Sequence, residues 1–151
     1  MKAQTVRKSR KSKIKPELLQ QIVAVQTEAR EQGRAGCFLF NRVSTKMTEQ
    51  ETSLEQQEHN SYEYAKRMGL YVVYNFRVQE TASKEEERHV FNLMLTLLKS
   101  ELIDVEHVVF KSADRSSRNR HDKDQLDKLR KNHGISIHYY SSKKVLHGRS
   151  H

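Results

Sequence analysis

Gly36-Cys37-Phe38-Leu39-Phe40-Asn41-Arg42-Val43-Ser44-Thr45 is the stretch on which the fold turns. Cys37 to Phe40 is a short apolar run with glycine in front and polar residues behind, the pattern of a strand buried in a parallel sheet. Arg42 and Ser44 are two apart, so alternation along the strand turns them to the same side at its carboxyl end. In open α/β sheets that end is where ligands bind. A hydroxyl beside a fixed guanidinium suits attack on an anionic, phosphate-like centre. Taken alone, Val43-Ser44-Thr45 reads as ordinary turn material; the rest of the chain decides otherwise.

Upstream, Pro16 opens a helix over 16–32, with Leu18, Ile22, Val25 and Ala29 at helical spacing and Gly33 as its stop. Its apolar stripe must cover either the domain or a partner. Downstream, Lys46 to Thr52 is a polar loop. Ser53 and Gln56 fit a capping box, which predicts a helix from Ser53 to Met68 that stops at Gly69. Leu70 to Phe76 is rich in β-branched and aromatic residues and reads as a second strand. Arg77 to Glu86 reads as a loop. Arg88 then opens a helix to Leu102, with Phe91, Met94, Leu95, Leu98 and Leu102 on one face. A third strand is predicted near 107–111. A helix follows over 122–132, with Leu126 and Leu129 inward and Gly134 past its end, and then a fourth strand at 135–140. Ser141 to His151 shows no clear element. Strand and helix alternate, which predicts an α/β three-layer sandwich built on a mostly parallel sheet of four to five strands.

At 151 residues the chain is long enough for one domain with a substantial core. The net charge of +9 points to an anionic partner, nucleic acid first. That charge is uneven: residues 1–15 hold seven Lys and Arg and no acid, leaving +2 for everything else. Residues 1–34 therefore read as a basic arm plus an amphipathic helix, and 35–151 as the main domain. The arm is either a solvated tail or a phosphate-contacting element. Cys37 is the single cysteine, so no intrachain disulfide is possible and a reducing cytoplasm fits. Eight histidines show no metal-ligand spacing. No stretch approaches a membrane span. A serine hydrolase of the α/β type would need a Gly-x-Ser-x-Gly elbow, and a phosphate-cradling nucleotide binder a glycine-rich loop; neither is present.

Two basic-polar clusters stand at strand ends: Arg42 with Ser44 after the first strand, and Asp114, Arg115 and Arg118 after the third. In a parallel sheet both face one edge, and if the two strands are neighbours they converge on one pocket. Arg115 and Arg118, three apart, would share a face of a helical turn. Arg88 could add a further positive group. Attack of a serine on a phosphodiester builds charge on the non-bridging oxygens, and fixed guanidiniums bind that charge bidentately without a metal.

The ordered set Arg42-Val-Ser44-Thr45, Ser53-Leu-Glu-Gln-Gln57, Glu80-Thr-Ala-Ser83-Lys84 with Arg88, and Asp114-Arg115-Ser-Ser-Arg118 resembles the catalytic domain of the serine recombinases, the resolvase/invertase family. The resemblance covers about 36–146. It implies a resolvase-like fold and a site-specific recombinase that cuts and rejoins DNA through a 5′-phosphoserine intermediate. It implies Ser44 as nucleophile, Arg42, Arg88, Arg115 and Arg118 as active-site arginines, Asp114 as the active-site aspartate and Gln57 as a further polar position. DNA is the implied partner, with a homo-oligomer in a full-length form, and with no cofactor, metal, membrane or small-molecule substrate. A bacterial or phage-encoded protein of the cytoplasm is the implied setting. Phe40 stands where the family has tyrosine, and Ser116 where it has leucine. Members continue into a long helix and a DNA-binding domain, which this chain does not reach. The competing expectation is a truncated, non-catalytic remnant that only binds DNA or partner recombinase subunits.

Overall fold

The computed structural model describes residues 14–43, 51–117 and 119–149, and for 51–57 the backbone alone. Its elements follow in the order α1 (Pro16–Glu31), β1 (Ala35–Val43), α2 (Glu51–Arg67), β2 (Leu70–Gln79), α3 (Lys84–Lys99), β3 (Val105–Phe110), α4 (Ala113–Ser116), α5 (Arg120–His133), β4 (Ser136–Tyr139) and β5 (Lys144–Leu146). The sheet has five strands in the order β2-β1-β3-β4-β5. The pairings β1–β2, β1–β3 and β3–β4 are parallel, and β5 lies antiparallel to β4. The expected α/β sandwich with a mostly parallel sheet is therefore what the chain forms.

The chain leaves β1 in one direction to make β2, then returns across it to make β3 and β4. Crossovers of one hand that travel in opposite directions must lie on opposite faces. The core divides accordingly. Phe38 and Phe40 of β1 pack with Ile22 of α1, Phe91 and Met94 of α3 and Leu126 and Leu129 of α5. Cys37 and Leu39, pointing the other way, pack with Tyr64 and Ala65 of α2. The apolar stripe of α1 thus covers the domain's own sheet. Gln26 fastens it there, donating from Nε2 to the Leu102 carbonyl and accepting from the Asp104 amide, each at 2.8 Å.

Several sequence expectations need correction. The helix containing Arg88 begins at Lys84, because Ser83 and Glu86 form a reciprocal capping box; the segment read as a loop to Glu86 holds the helix start. That helix ends at Lys99, and Leu102, expected on its apolar face, is 61% exposed. The helix expected to start at Ser53 already includes Glu51, the first described residue after 43, which places Ser53 inside it. The helix expected at 122 starts at Arg120, because the Asn119 side chain accepts from the Asp122 amide. It closes as read, with Gly134 in the left-handed region at φ 68°. The tail expected to lack an element forms β5. The strand is three residues long and follows Lys143 at φ 57°, too short a signal for alternation to register. Among the described residues no helix is long and apolar enough to cross a membrane.

Candidate active site at the carboxyl ends of β1 and β3

β1 and β3 are hydrogen-bonded neighbours whose chains continue in opposite directions, to β2 and to β4. A crevice opens at such a switch point, outside the carboxyl ends of the strands. There the structure forms a cleft of about 250 Å³ lined by Lys84, Glu87, Arg88, Phe91, Arg115, Ser116, Asn119 and Asp122. Arg88 comes from the first turns of α3, Arg115 from the single turn α4 after β3, and Asp122 from the first turn of α5. Three cations face two carboxylates across it.

Arg42, next to last in β1, reaches the same wall: its Nη1 lies 2.7 Å from Oε1 of Glu87. The pair is an ion contact by distance but not a hydrogen bond by angle, so that nitrogen is buried without a hydrogen bond among the described residues. Arg88 is held differently. Its Nη1 and Nη2 donate to the two carboxylate oxygens of Asp122 at 2.5 and 3.3 Å. The Asp122 hydrogen bond raises the Arg88 pKa above its ordinary value, with burial opposing it.

Of the residues singled out in the sequence, Arg88 and Arg115 line one cleft and Arg42 touches its wall residue Glu87. Asp114 stands on α4 beside Arg115 but is not among the lining residues; its Oδ1 accepts from Ser112 Oγ at 2.5 Å. The shared helical face expected of Arg115 and Arg118 depends on Arg118, which lies outside the described residues. The turn α4 ends at Ser116, and Ser117 is extended, with φ −146° and ψ 113°. Arg118 and Ser44 lie outside the described residues, and so does the side chain of Gln57.

Both departures from the family pattern are absorbed by packing. Phe40 is buried edge-on to Phe91, with ring centroids 6.0 Å apart. Ser116 is 2% exposed; its Oγ donates to the Ala113 carbonyl and bonds Tyr139 Oη, both at 2.9 Å. Sequence reasoning gave no site role to Lys84, Glu87, Asn119 or Asp122. Lys84 was findable from its i, i+4 spacing to Arg88, which is unfavourable for like charges without an anion between them. Asp122 carried no local signal, since its partner is 34 positions away.

The family model described as Resolvase, N terminal domain matches residues 37–147, well over half of the chain. The chain belongs to the resolvase N-terminal domain family. The resolvase domain is similar in structure to a resolvase family site-specific recombinase from Streptococcus pneumoniae, at a TM-score of 0.60 and 22% identity over 74% of this chain and 76% of that one. It is also similar to the N-terminal catalytic domain of TP901-1 integrase, at a TM-score of 0.52 and 19% identity over 73% of this chain and 80% of that one. At such identities these likenesses speak for the fold. No curated protein matches the chain. The helix α1 precedes the matched residues yet packs as part of the same core.

Proposed function

We propose that this resolvase domain is the catalytic domain of a site-specific DNA recombinase, with Ser44 as the nucleophile. The observation that carries the reading is the convergence of Arg88 and Arg115 on one cleft at the ends of β1 and β3, with Arg42 against its wall. Ser44 follows Arg42 by two residues, directly past the last residue of β1. In the proposed step Ser44 Oγ forms a bond to a backbone phosphorus, the bond from phosphorus to the 3′ oxygen breaks, and the hydroxyl proton ends on that 3′ oxygen. Rejoining is the reverse, with a 3′ hydroxyl displacing Ser44. Bond energy is conserved, so no nucleotide triphosphate is consumed.

Charge grows on the non-bridging oxygens as the serine attacks. Arg42, Arg88, Arg115 and Arg118 are assigned to bind it, each guanidinium presenting a planar fork of donors. Removing one donor of this kind raises the barrier by about 3–4 kcal/mol. Asp114 is assigned to orient an arginine or carry a proton, and Gln57 to a supporting polar contact. Residues 1–34 are assigned to DNA-phosphate contact through the arm and to sheet support through α1. A homo-oligomer acting on DNA completes the reading.

The test is a DNA duplex nicked so that the cleaved strand diffuses away and traps the covalent product. The unaltered chain should give a slow-migrating protein–DNA band, undiminished by EDTA because arginines supply the charge. Ser44→Ala should give none while its circular dichroism spectrum is unchanged. A band that persists in Ser44→Ala, or one that requires Mg²⁺, would count decisively against the mechanism.

A further inference from the structure

Asp122 is 5% exposed, and a buried carboxylate is costly unless fully paired. Two features stabilise its charge. It is the third residue of α5, where the helix dipole favours an anion, and the Asn119 cap fixes its backbone amide at 2.9 Å. Both its oxygens then take hydrogen bonds from Arg88. Helix capping alone would not need a partner on α3. The Arg88 side chain stays 40% exposed, so the pair sits on the cleft wall rather than inside the core. A guanidinium has five N–H donors, and Asp122 engages one on each Nη. Among the described residues no other acceptor takes Nε–H or the second hydrogen of each Nη, which leaves these donors for another anion.

We propose that Asp122 is a positioning residue for the reaction: it fixes the plane of the Arg88 guanidinium so that the remaining donors meet the phosphate being attacked. The inference rests on the recombinase reading for its chemistry, but not for the contact itself. Lys84, four residues before Arg88 on the same helix, and Arg115 also line the cleft and leave its described lining net positive, so an arriving phosphate does not have to displace Asp122. Glu87 is turned to Arg42 instead.

Two measurements on the full chain test it. In arginine Nε–H NMR spectra, inorganic phosphate should shift the Arg88 resonance. In Asp122→Asn the same shift should need about tenfold more phosphate, with the melting temperature recorded alongside. In the nicked-duplex assay, Asp122→Asn should slow adduct formation about tenfold to a hundredfold, the scale on which a misplaced catalytic group acts. In an Arg88→Ala background it should cost nothing further, which a general loss of stability would not reproduce. Asp122→Glu keeps the charge while moving the guanidinium, and serves where Asp122→Asn fails to fold; it should bind phosphate yet lose rate. Additive losses in the double variant, an Arg88 resonance that ignores phosphate, or full-rate adduct formation by Asp122→Asn would overturn the proposal. A phosphate response that depends on Asp122 without adduct in any variant would instead support the positioning and sink the recombinase reading.

Discussion

Ser116 and Tyr139 show how a single polar pair secures the turn that carries Arg115. Their oxygens are 2.9 Å apart and both residues are buried, so neither hydroxyl can turn to water. Ser116→Ala should cost about 1–2 kcal/mol by leaving the tyrosine hydroxyl unpaired. Added to Tyr139→Phe it should cost less than the sum, and strictly additive denaturation midpoints would refute the coupling. A second buried chain runs from Tyr64 Oη to His138 Nδ1 at 2.9 Å, and from His138 Nε2 to His107 Nδ1 at 3.0 Å. Burial, with His107 and His147 nearby, lowers the His138 pKa to about 4; burial also lowers that of His107. His138 stays neutral in the fold down to about pH 4, and His107 too resists protonation, while the unfolded chain takes up protons below about pH 6.5. The His138 contribution is therefore full above that value and lost progressively as pH falls toward 4. Melting temperatures should decline over that window, and His138→Gln should make the decline shallower; an unchanged slope would show that His138 does not titrate as described. Burial pushes the Cys37 thiol up to about 12, so thiol reagents should leave the native chain unlabelled.

At the scale of elements, the strands of the parallel sheet and the long helices were legible because each carries its own periodicity. Cys37 to Phe40 announces a strand buried on both faces, and Phe91 to Leu98 announces an apolar helix face. The cleft was legible in part: Arg42, Arg88 and Arg115 stand at strand and helix ends that any parallel sheet brings to one edge. What escaped is set by contacts far apart in sequence. Asp122 gains its meaning from Arg88, and β5 exists because β4 offers an open edge. The chain after β5 shows the same dependence. Arg149 N donates to the Arg130 carbonyl at 3.0 Å, Gly148 N donates to Ser136 Oγ at 3.0 Å, and Arg130 donates to the His147 carbonyl. A Cβ on Gly148 would stand 2.3 Å from the carbonyl carbon of Gly134. Gly148→Ala should thus lift this strap from α5 and destabilise the domain by about 1–3 kcal/mol. A melting temperature equal to that of the unaltered chain would mean the strap contributes nothing.

The whole molecule carries +9, and six of its lysines and arginines lie in residues 1–13 with no acid among them. Every described helix longer than one turn is packed against the sheet, and none is spare to enter a DNA groove. Attraction to phosphates remains, and it is blind to sequence, weakening by roughly 0.9 log units per log unit of salt for each phosphate neutralised. The chain should bind random duplex weakly at low salt and release it at physiological salt. Removing residues 1–13 should abolish most of this binding, and a footprint at one defined site at physiological salt would contradict the expectation. The central proposal is chemical: Ser44 is the nucleophile of strand exchange, and arginines bind the charge that its attack builds. Its most direct test is mass spectrometry of the trapped protein–DNA adduct after trypsin and nuclease digestion. Cleavage after Arg42 and Lys46 releases the peptide Val43-Ser44-Thr45-Lys46. The account predicts a nucleotide phosphate on Ser44 of this peptide; a nucleotide on Thr45 or on any other residue would contradict it.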